Sequence, residues 1–399
     1  MPNAEPLSLF AVAAPGLEAL VAGELNALGI AAVAEAGGAA WHGTLEQLYT
    51  ANLYLHTASR IIARVGEFRA RTFFELERHA RKLPWEHFVA PGGAVRLRVT
   101  CRKSRLYHEG AVAERMLAAI EHRVGGLGAT AAEKGSDHDE EDGDAQLFVV
   151  RFLHDRCTVS ADTSGALLTY RGYRQALAKA PLRENLAAAL LLASGWTGKA
   201  PLVDPMCGAG TIAIEAALIA RRIAPGLAGP GGEGRHYAFR DWPNFDAALW
   251  TGIRERAVSE VLPTAGVPIH ASDRDAGAIE AAHGNAARAG VLPDLELAVL
   301  PLSGLEPPPG TGWLVTNPPY GVRVGESDAL RNLYAALGRV ARSRLPGWTV
   351  ALLSAERSLE AQVKVRFTEV LRTRNGGIPV RVVVGQLPES PTASGEPRA

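Results

Sequence analysis

The chain has 399 residues, of which 47% are apolar and 21% charged, and its 42 basic residues balance its 42 acidic ones. This length predicts two or three domains with cores that need no disulfide or metal. The composition excludes a collagen-like fibre and a wholly disordered chain. The zero net charge argues against a protein that coats nucleic acid by overall charge alone.

The sequence shows no sign of secretion or membrane insertion. The cysteines Cys101, Cys157 and Cys207 are far apart and form no CxxC pair, which indicates a reduced intracellular protein without a structural zinc site. No basic residue precedes the first apolar stretch, and no uncharged apolar run approaches the roughly 18 residues that span a bilayer. We therefore expect a cytoplasmic protein with neither a metal nor a membrane partner.

The first part of the chain predicts mixed α and β structure. Leu7–Ala13 predicts a strand, and Gly16–Leu28 predicts a helix with apolar residues on one face. Ala94–Thr100 alternates apolar residues with arginine, as a half-exposed strand does, and Ala111–His122 is again helical.

This region is also the most basic part of the chain. Residues 60–125 hold 14 basic and 7 acidic residues. The densest cluster comprises Arg96, Arg98, Arg102, Lys103 and Arg105, followed by Tyr107 and His108. Cations beside an aromatic ring suit contact with a phosphate backbone. The alternative is a solvated strand face, because alternate residues of a half-exposed strand point outward in any case.

Two segments predict disorder. Ala129–Ala145 contains six acids between Asp137 and Asp144, and like charges at that density repel and remain solvated. We expect a disordered surface loop there, with an acidic tract that mimics nucleic acid as the alternative. The tail from Pro388 is rich in Pro, Ser and Gly and should be frayed.

From about residue 200 the chain alternates strands with helices, the pattern of a doubly wound parallel sheet. The predicted strands are Pro201–Pro205, Val267–Ser272, Leu295–Leu300, Trp313–Thr316 and Trp348–Ser354, and the predicted helices are Thr211–Arg221, Ala276–Ala289 and Ala329–Arg344. The segment Ile223–Leu262 interrupts this alternation and predicts an inserted subregion. Two last strands, Phe367–Thr373 and Val380–Leu387, flank the hairpin signal Asn375-Gly376-Gly377.

A glycine-containing turn follows the first strand of this half. Asp204 ends the strand, and Gly208 and Gly210 let a ligand approach the backbone just before a helix whose first N–H groups are free. The third glycine of a dinucleotide-binding turn is absent. The turn therefore predicts a nucleoside ligand without phosphates.

Asp273 ends the next strand. An acid at this position of a Rossmann-like sheet can accept hydrogen bonds from both ribose hydroxyls. The alternative role is a helix N-cap, which Asp favours in any case, and the two roles are compatible.

The motif Asn317–Tyr320 follows the strand Trp313–Thr316. Its two prolines fix the backbone and contribute no N–H donor, so the carbonyls of Asn317 and Pro318 can point into a pocket beside the Asn317 side chain. Two such acceptors suit the two hydrogens of a planar NH2 group, and Tyr320 can stack on the ring that bears it. An ordinary turn is the alternative, but the strand placement and the tyrosine favour a functional motif.

Together these motifs resemble the class I S-adenosylmethionine-dependent methyltransferases that act on exocyclic amines, whose sheet also closes with an antiparallel hairpin. The chain further resembles the THUMP-domain guanine-N2 RNA methyltransferases in the segments Phe10–Gly29, Cys101–His108, Arg171–Arg174, Ala180–Leu190 and Glu215–Gly226. It is most similar to the RlmL-type subgroup, which makes N2-methylguanosine in large-subunit rRNA, and a neighbouring subgroup methylates tRNA. Pro301 departs from the family pattern, which often has an acid there for the adenine amino group.

The resemblance implies an α/β fold with a Rossmann-like methyltransferase sheet after α+β ferredoxin-like and THUMP domains. The implied domains are a ferredoxin-like segment over 1–58, a THUMP RNA-binding domain over 59–163, a methyltransferase domain over 164–388 and a tail over 389–399. It also implies methyl transfer from S-adenosylmethionine to N2 of a flipped guanosine in 23S rRNA, by a protein that we expect to be a monomer.

The resemblance also assigns the site residues. The residues expected to bind the cofactor are Asp204, Pro205, Met206, Gly208, Gly210, Thr211, Asp273, Arg274 and Asn317. The expected catalytic residues are Asn317, Pro318, Pro319 and Tyr320. The residues expected to bind RNA are Arg98, Arg102, Lys103, Arg105 and Tyr107.

Several alternatives stay open. The same chemistry on a tRNA guanosine fits the same motifs. DNA and protein-glutamine methyltransferases share the Asn317–Tyr320 motif, although the THUMP-like half argues against both. A non-catalytic RNA-binding factor in ribosome assembly is the alternative of another class. A nicotinamide dehydrogenase is disfavoured by the absent third glycine and by the Asn317–Tyr320 motif.

Overall fold

The computed structural model describes residues 6–134, 145–174, 182–229, 235–320 and 327–389. The chain forms two compact units. The first unit comprises Met1–Ala14, Val21–Tyr170 and Arg235–Ser259, and the second comprises Pro15–Leu20, Arg171–Gly234 and Glu260–Ala399.

The described helices and strands alternate along most of the chain. The strands are β1 (Leu7–Val12), β2 (Val33–Glu35), β3 (Gly38–Gly43), β4 (Arg60–Arg69), β5 (Val95–Arg102), β6 (Thr130–Lys134), β7 (Gln146–Leu153), β8 (Arg156–Asp162), β9 (Leu202–Asp204), β10 (Ile269–Asp273), β11 (Glu296–Val299), β12 (Trp313–Thr316), β13 (Thr349–Ser354), β14 (Thr368–Asn375) and β15 (Ile378–Gln386). The α-helices are α1 (Glu18–Ala27), α2 (Leu45–Tyr54), α3 (Phe73–Ala80), α4 (Glu109–Val124), α5 (Glu184–Ala193), α6 (Thr211–Ala220), α7 (Ala247–Ser259), α8 (Ala276–Arg288), α9 (Ser327–Arg344) and α10 (Arg357–Val363).

The first unit is built on one eight-stranded sheet. Its strand order is β2-β3-β1-β4-β8-β7-β5-β6. The pairs of β5 with β6 and with β7 are parallel, and the other pairs are antiparallel. The sheet is continuous across residues 58 and 59, because β1 pairs with β4. The domain boundaries at residues 58, 163 and 388 stay predictions.

The predicted strand in the basic region is confirmed, with its alternation. Along β5 the apolar side chains of Val95, Leu97 and Val99 are buried, whereas Arg96 and Arg98 are half-buried on the opposite face. Such alternation is expected of a strand with one face on the core. Apart from β1, α1, β5 and α4, the elements before residue 164 had no specific sequence prediction.

The predicted disordered loop is wrong at its start. Residues Thr130–Lys134 form β6, which pairs in parallel with β5 at the edge of the sheet. The strand contains one acid, Glu133, next to Lys134, and the six clustered acids begin only at Asp137, so charge repulsion does not oppose the strand. Residues 135–144, with the six acids, and residues 390–399 of the predicted tail lie outside the described residues.

The second unit contains the predicted doubly wound sheet. Its strand order is β11-β10-β9-β12-β13-β15-β14, with the first five strands parallel and the last two antiparallel. The strands at its centre are continuously apolar because a parallel sheet is buried on both faces. One core cluster packs Leu314 and Val350 of the sheet against Tyr334 and Leu337 of α9. The predicted fold class is confirmed.

Most of the segment between α6 and β10, which was predicted to be an insertion, belongs to the first unit and not to the second. Residues Arg235–Ser259 belong to the first unit, where the rings of Phe239 and Trp250 pack on Tyr49. The Trp242 indole N–H donates to the Gln146 side-chain oxygen at 2.7 Å. Aromatic burial explains why this segment, rich in Trp and Phe, is not a free loop.

Candidate functional site

The three sequence motifs of the second unit meet at one edge of its sheet. Strands β10, β9 and β12 are parallel neighbours, so their carboxyl ends lie side by side. Asp273, Asp204 and Asn317 stand at or directly after those ends. Ligands of open α/β sheets bind at this edge, and the structure therefore brings the predicted cofactor and catalytic residues together.

The glycine turn between β9 and α6 has two glycines with different roles. Both adopt a left-handed conformation, with φ of 52° at Gly208 and 83° at Gly210. A Cβ added to Gly210 would lie 2.9 Å from the Ala282 Cβ of α8, whereas one added to Gly208 would meet nothing within 4 Å. Gly210 therefore permits close packing of the helix, and Gly208 faces space that a ligand can enter.

Asp273 organises this turn. One of its carboxylate oxygens, Oδ2, accepts the backbone N–H of Gly208 at 3.0 Å, and the other, Oδ1, accepts the N–H of Asp275 at 3.0 Å. The alternative reading of Asp273 as a helix N-cap is wrong, because Asp275 caps α8 through the N–H of Gly277. Asp273 is half-exposed, and its oxygens keep lone pairs for ribose hydroxyls.

Asp204 lies beneath the turn. It is fully buried and accepts the Met206 N–H at 3.3 Å. Burial raises the pKa of this carboxyl to about 7, against smaller lowering contributions from the Thr316 hydroxyl and the Met206 N–H. Because its side chain does not reach the surface, Asp204 shapes the backbone that a cofactor would contact.

The Asn317 side chain carries an unsatisfied acceptor. Its Oδ1 is buried and has no hydrogen-bond partner among the residues that the structure describes. Leaving a buried acceptor unpaired costs about 1–3 kcal/mol, so such an atom calls for an explanation. A donor brought by a ligand would satisfy it.

The rest of the motif is held from two sides. Pro318 is buried and Pro319 is exposed, and the Pro319 carbonyl accepts the Tyr334 hydroxyl at 3.4 Å. Tyr320 is half-buried, and its hydroxyl accepts the Asn375 side-chain N–H at 2.7 Å. Burial raises the pKa of Tyr320. From sequence, Asn375 was predicted only as a turn residue, and no local signal links it to Tyr320.

The remaining predicted cofactor residues lie around the turn. Pro205 and Thr211 are buried, Met206 is half-buried and Arg274 is exposed. Thr211 is the first residue of α6. These placements are compatible with the predicted roles, which stay predictions.

The predicted RNA-binding residues lie in the first unit. Arg102, Lys103 and Arg105 are exposed, as is Tyr107 at 67%, whereas Arg98 is half-buried. The structure adds that Tyr107 packs on the His108 ring, with centroids 4.2 Å apart.

The Asp155 carboxylate joins a further cation, Arg71, to this basic cluster. Asp155, in the turn between β7 and β8, accepts the Arg105 N–H at 2.8 Å and the Arg71 side-chain Nε at 3.2 Å. The Arg105 N–H and the nearby positive charges lower the pKa of Asp155. Sequence reasoning missed Arg71 because it is 34 positions away from Arg105 along the chain.

Two protein-family models match this chain. A family model described as an RMKL-like methyltransferase domain matches residues 171–383, more than half of the chain, and one described as an RlmL ferredoxin-like domain matches residues 8–62. The chain belongs to the RlmL-type methyltransferase family. This confirms the family recognised in the sequence. The THUMP domain stays a prediction.

Individual relatives match nearly the whole chain. It is 33% identical over 380 residues to the putative RNA methyltransferase slr0064 of Synechocystis, covering 95% of this chain and 96% of that one. It is 36% identical over 393 residues to the ribosomal RNA large subunit methyltransferase K/L of Syntrophotalea carbinolica, covering 95% of this chain and 53% of the relative. The chain therefore spans about half the length of that K/L protein.

A similar protein of known structure has been solved with a bound nucleoside ligand. SMU.472, a putative methyltransferase complexed with SAH, superposes with a TM-score of 0.84 at 31% identity, covering 97% of this chain and 99% of that one. SAH is what S-adenosylmethionine becomes when it loses its methyl group. The cofactor is S-adenosylmethionine, as predicted. The open approach at Gly208 and the half-exposed Asp273 carboxylate fit such a nucleoside.

Buried side chains outside the three motifs support the cofactor turn. Two of them, Arg171 and Tyr173, lie in a segment that carries the family resemblance. The Tyr173 hydroxyl donates to Glu215 Oε1 of α6 at 3.0 Å, and Arg171 Nε lies 3.5 Å from the same oxygen. From α8, the Asn285 side chain donates to the Ala209 carbonyl inside the turn at 3.0 Å. Buried, mutually satisfied polar groups of this kind rigidify a site. Ala180 and Pro181 lie outside the described residues.

Pro301 supplies no carboxylate for adenine. It is exposed and directly precedes the short turn Leu302–Gly304, where its carbonyl accepts the Gly304 N–H at 2.8 Å. The adenine contact that acids make elsewhere in the family therefore has no side-chain counterpart at this position.

Neither a metal cluster nor a membrane-spanning helix is found in the described part of the chain. Across the described ranges, His, Cys, Asp and Glu form no group of three that could hold a metal ion. None of the helices described is both long and apolar enough to cross a bilayer.

Proposed function

We propose that this methyltransferase acts on the exocyclic N2 of a guanosine in structured RNA, with 23S ribosomal RNA as the first substrate to test. Support for RNA comes from relatives whose names describe RNA methyltransferases and a large-subunit ribosomal RNA methyltransferase. Support for an amine comes from the site itself.

The unpaired, buried Oδ1 of Asn317 carries the proposal. The lone pair of a guanine N2 amine is delocalised into the ring, so the amine is a weak nucleophile. Hydrogen bonds from the amine to Asn317 Oδ1 and the Pro318 carbonyl would hold the amine so that its lone pair, which is normal to the ring plane, localises on the nitrogen in line with the methyl group. The same contacts would stabilise the positive charge that develops on the nitrogen.

The cofactor supplies an electrophilic methyl group on a sulfonium when it is bound. Asn317 cannot act as a strong base, since its side chain is a neutral amide. The amine proton therefore leaves late, to water or to a carbonyl oxygen, after the new N–C bond has begun to form. In this scheme the protein positions and stabilises the amine rather than deprotonating it first.

The guanine must leave its stack to reach this edge of the sheet. An enzyme that modifies a base acts on an unpaired or flipped nucleotide, and an aromatic side chain can then stack on its face. Tyr320 follows Asn317 by three positions and is only half-buried, so part of its ring is available as that platform.

The exposed cations of the first unit suit the rest of the RNA. Arg71, Arg102, Lys103 and Arg105 are exposed, and so is Tyr107. Such groups bind phosphates without reading sequence. They would add affinity for structured RNA, whereas the choice of the methylated atom belongs to the Asn317 site.

The test is transfer of a labelled methyl group from S-adenosylmethionine to unmodified ribosomal RNA and, separately, to unmodified transfer RNA, with the products digested to nucleosides. Label recovered from ribosomal RNA as N2-methylguanosine would support the proposal. Label on transfer RNA alone would keep the chemistry and replace the substrate.

Two further outcomes would overturn the chemistry. Label on an adenine or on DNA would show that the motif serves a different amine. Absence of transfer to free RNA and to ribosomal precursor particles, with cofactor still bound, would favour a non-catalytic role in ribosome assembly.

A further inference from the structure

An unassigned side chain touches the proposed base platform. Asn375 is the last residue of β14, and its Nδ2 lies 2.7 Å from the Tyr320 hydroxyl oxygen, 55 positions earlier in the chain. Tyr320 belongs to the loop after β12, whereas Asn375 belongs to the hairpin that closes the sheet.

The hairpin fixes the position of the Asn375 amide. Gly376 and Gly377, between the two strands, have φ of 54° and 86°. Positive φ at both central residues is what a type I′ turn requires, and this turn matches the twist of the flanking strands. Asn375 pairs directly with Ile378 across the turn, so its backbone is held by the ladder on one side and by the turn on the other.

The direction of the Asn375 side chain follows from strand alternation. Leu371, Thr373 and Asn375 share one face of β14, and the first two are buried at 8% and 4% exposure. Asn375 continues this face at the end of the strand and is half-buried. The strand therefore aims the amide inward, toward the loop that carries Tyr320.

Tyr320 is thereby held at both ends. The Pro319 carbonyl, in the preceding peptide, accepts a hydrogen bond from the Tyr334 hydroxyl. At the far end of the ring, the Tyr320 hydroxyl accepts a hydrogen bond from the Asn375 side chain. The hydroxyl oxygen lies on the axis of the Cβ–Cγ bond, so the contact with Asn375 restricts rotation about Cα–Cβ, the rotation that swings the ring, while the Pro319 contact holds the backbone from which the side chain projects. A platform restricted in this way loses less entropy when a base stacks on it.

We propose that Asn375 is a positioning residue that fixes the direction in which the Tyr320 ring projects toward the target base. This rests on the proposed function, because it deepens the role of Tyr320 as the stacking platform. Asn375 acts through Tyr320 and does not itself touch the reacting amine.

The experiment compares the variants Asn375→Ala, Tyr320→Phe and the two combined. Tyr320→Phe keeps the ring and removes only the hydroxyl that Asn375 contacts. Ile378→Ala is the matched control, because Ile378 is the cross-strand partner of Asn375 and is 43% exposed. The measurements are kcat and KM for an RNA that the wild-type protein methylates, and the Kd for S-adenosylmethionine.

Loss of one hydrogen bond predicts that KM for RNA rises about two- to tenfold in Asn375→Ala, with kcat and the cofactor Kd nearly unchanged. Tyr320→Phe should show the same rise, and the combined variant should be no worse than Tyr320→Phe alone. Ile378→Ala should behave as wild type.

The proposal is overturned if Asn375→Ala matches the Ile378→Ala control. It is equally overturned if Asn375→Ala has its full effect in the Tyr320→Phe background, since Asn375 would then act on something other than the hydroxyl. A separate variant, Tyr320→Ala, tests the platform itself. Wild-type methylation in Tyr320→Ala would refute the proposed role of Tyr320, a failure distinct from that of Asn375 alone.

Discussion

The sheets of the two units present their polar side chains in opposite ways. In the second unit, parallel neighbouring strands deliver Asp204, Asp273 and Asn317 to one edge, where each is buried or half-buried. In the first unit, exposed cations surround a turn and are joined through Asp155, with side chains open to solvent.

The difference predicts how each region works. Groups that converge in a partly buried site act at a lower dielectric than exposed groups and are held in place before the reaction, so each one carries a large effect. Exposed charges are screened by salt, and each one contributes little. Substitutions should therefore abolish function in the second unit and only weaken it, in a salt-dependent way, in the first.

The largest effect is expected at Asn317. Asn317→Ala should slow methyl transfer at least ~10²-fold, as removal of one preorganised hydrogen-bonding group does in other sites, while S-adenosylmethionine binds nearly normally. Single-turnover transfer and a cofactor titration measure the two effects. Asn332→Ala is the control, since Asn332 is exposed on α9 of the same unit. Near-wild-type transfer in Asn317→Ala would remove it from the mechanism.

The two glycines of the turn should respond differently to alanine. In Gly210→Ala the new Cβ meets Ala282 at 2.9 Å and the left-handed backbone is strained, which together should lower the free energy of unfolding by about 2–3 kcal/mol. Gly208→Ala keeps the strain without the collision, so it should cost about 1–2 kcal/mol but weaken cofactor binding. Urea denaturation and cofactor titration distinguish them. Equal stability of the two variants would contradict this assignment.

Asp204 should make stability depend on pH. Its folded pKa of about 7 lies above the ordinary 3.8, so the folded protein holds this proton more tightly than the unfolded chain does. Stability is then lost as pH rises from about 4 to about 7. The isosteric Asp204→Asn variant cannot ionise, so its stability relative to wild type should rise across that range, by roughly 4 kcal/mol in all. A difference that stays constant with pH would show that Asp204 is not the titrating group.

The smallest individual effects are expected in the basic cluster. Lys103→Ala combined with Arg105→Ala should weaken RNA binding and reduce the slope of log affinity against log salt by about 1–2. Arg81→Ala combined with Lys82→Ala removes two exposed charges elsewhere in the same unit and serves as the control. An unchanged slope in the first pair would show that these residues do not contact phosphate.

The second sheet could be predicted from sequence because its elements are continuous and strongly patterned. The strand Trp313–Thr316 has the predicted bounds, and the helix predicted over Thr211–Arg221 ends one residue earlier. Parallel strands separated by helices place their motifs at one edge by topology alone. The convergence of Asp204, Asp273 and Asn317 followed from that rule.

The failures have local causes. Strand β2 has only three residues, and β3 has two Ala and two Gly among its six, so alternation gave no signal there. Strand β6 lies at the start of the segment that was predicted to be disordered because of the acids at its other end. Its pairing with β5, which the local sequence does not show, makes it a strand. Asp273 and Asp275 are both suitable helix caps, and only the geometry shows that Asp275 is the cap.

Contacts between distant segments could not be predicted from local patterns. Asn375 reaches Tyr320 and Arg71 reaches Asp155 only after strands have paired. Each of these residues has an ordinary local explanation, as a turn residue or a surface cation. Their functional interpretation therefore depends on the tertiary fold.

The central claim is that the Asn317 edge methylates the N2 amine of guanosine. It is tested most directly with two transcripts of an RNA that the protein methylates, one made with inosine and one with 7-deazaguanosine in place of guanosine. Inosine lacks the N2 amine and keeps N7, whereas 7-deazaguanosine keeps the N2 amine and lacks N7. We predict methyl transfer to the 7-deazaguanosine transcript and none to the inosine transcript. Transfer to the inosine transcript would contradict the claim, because the methyl group would then be accepted by an atom other than N2.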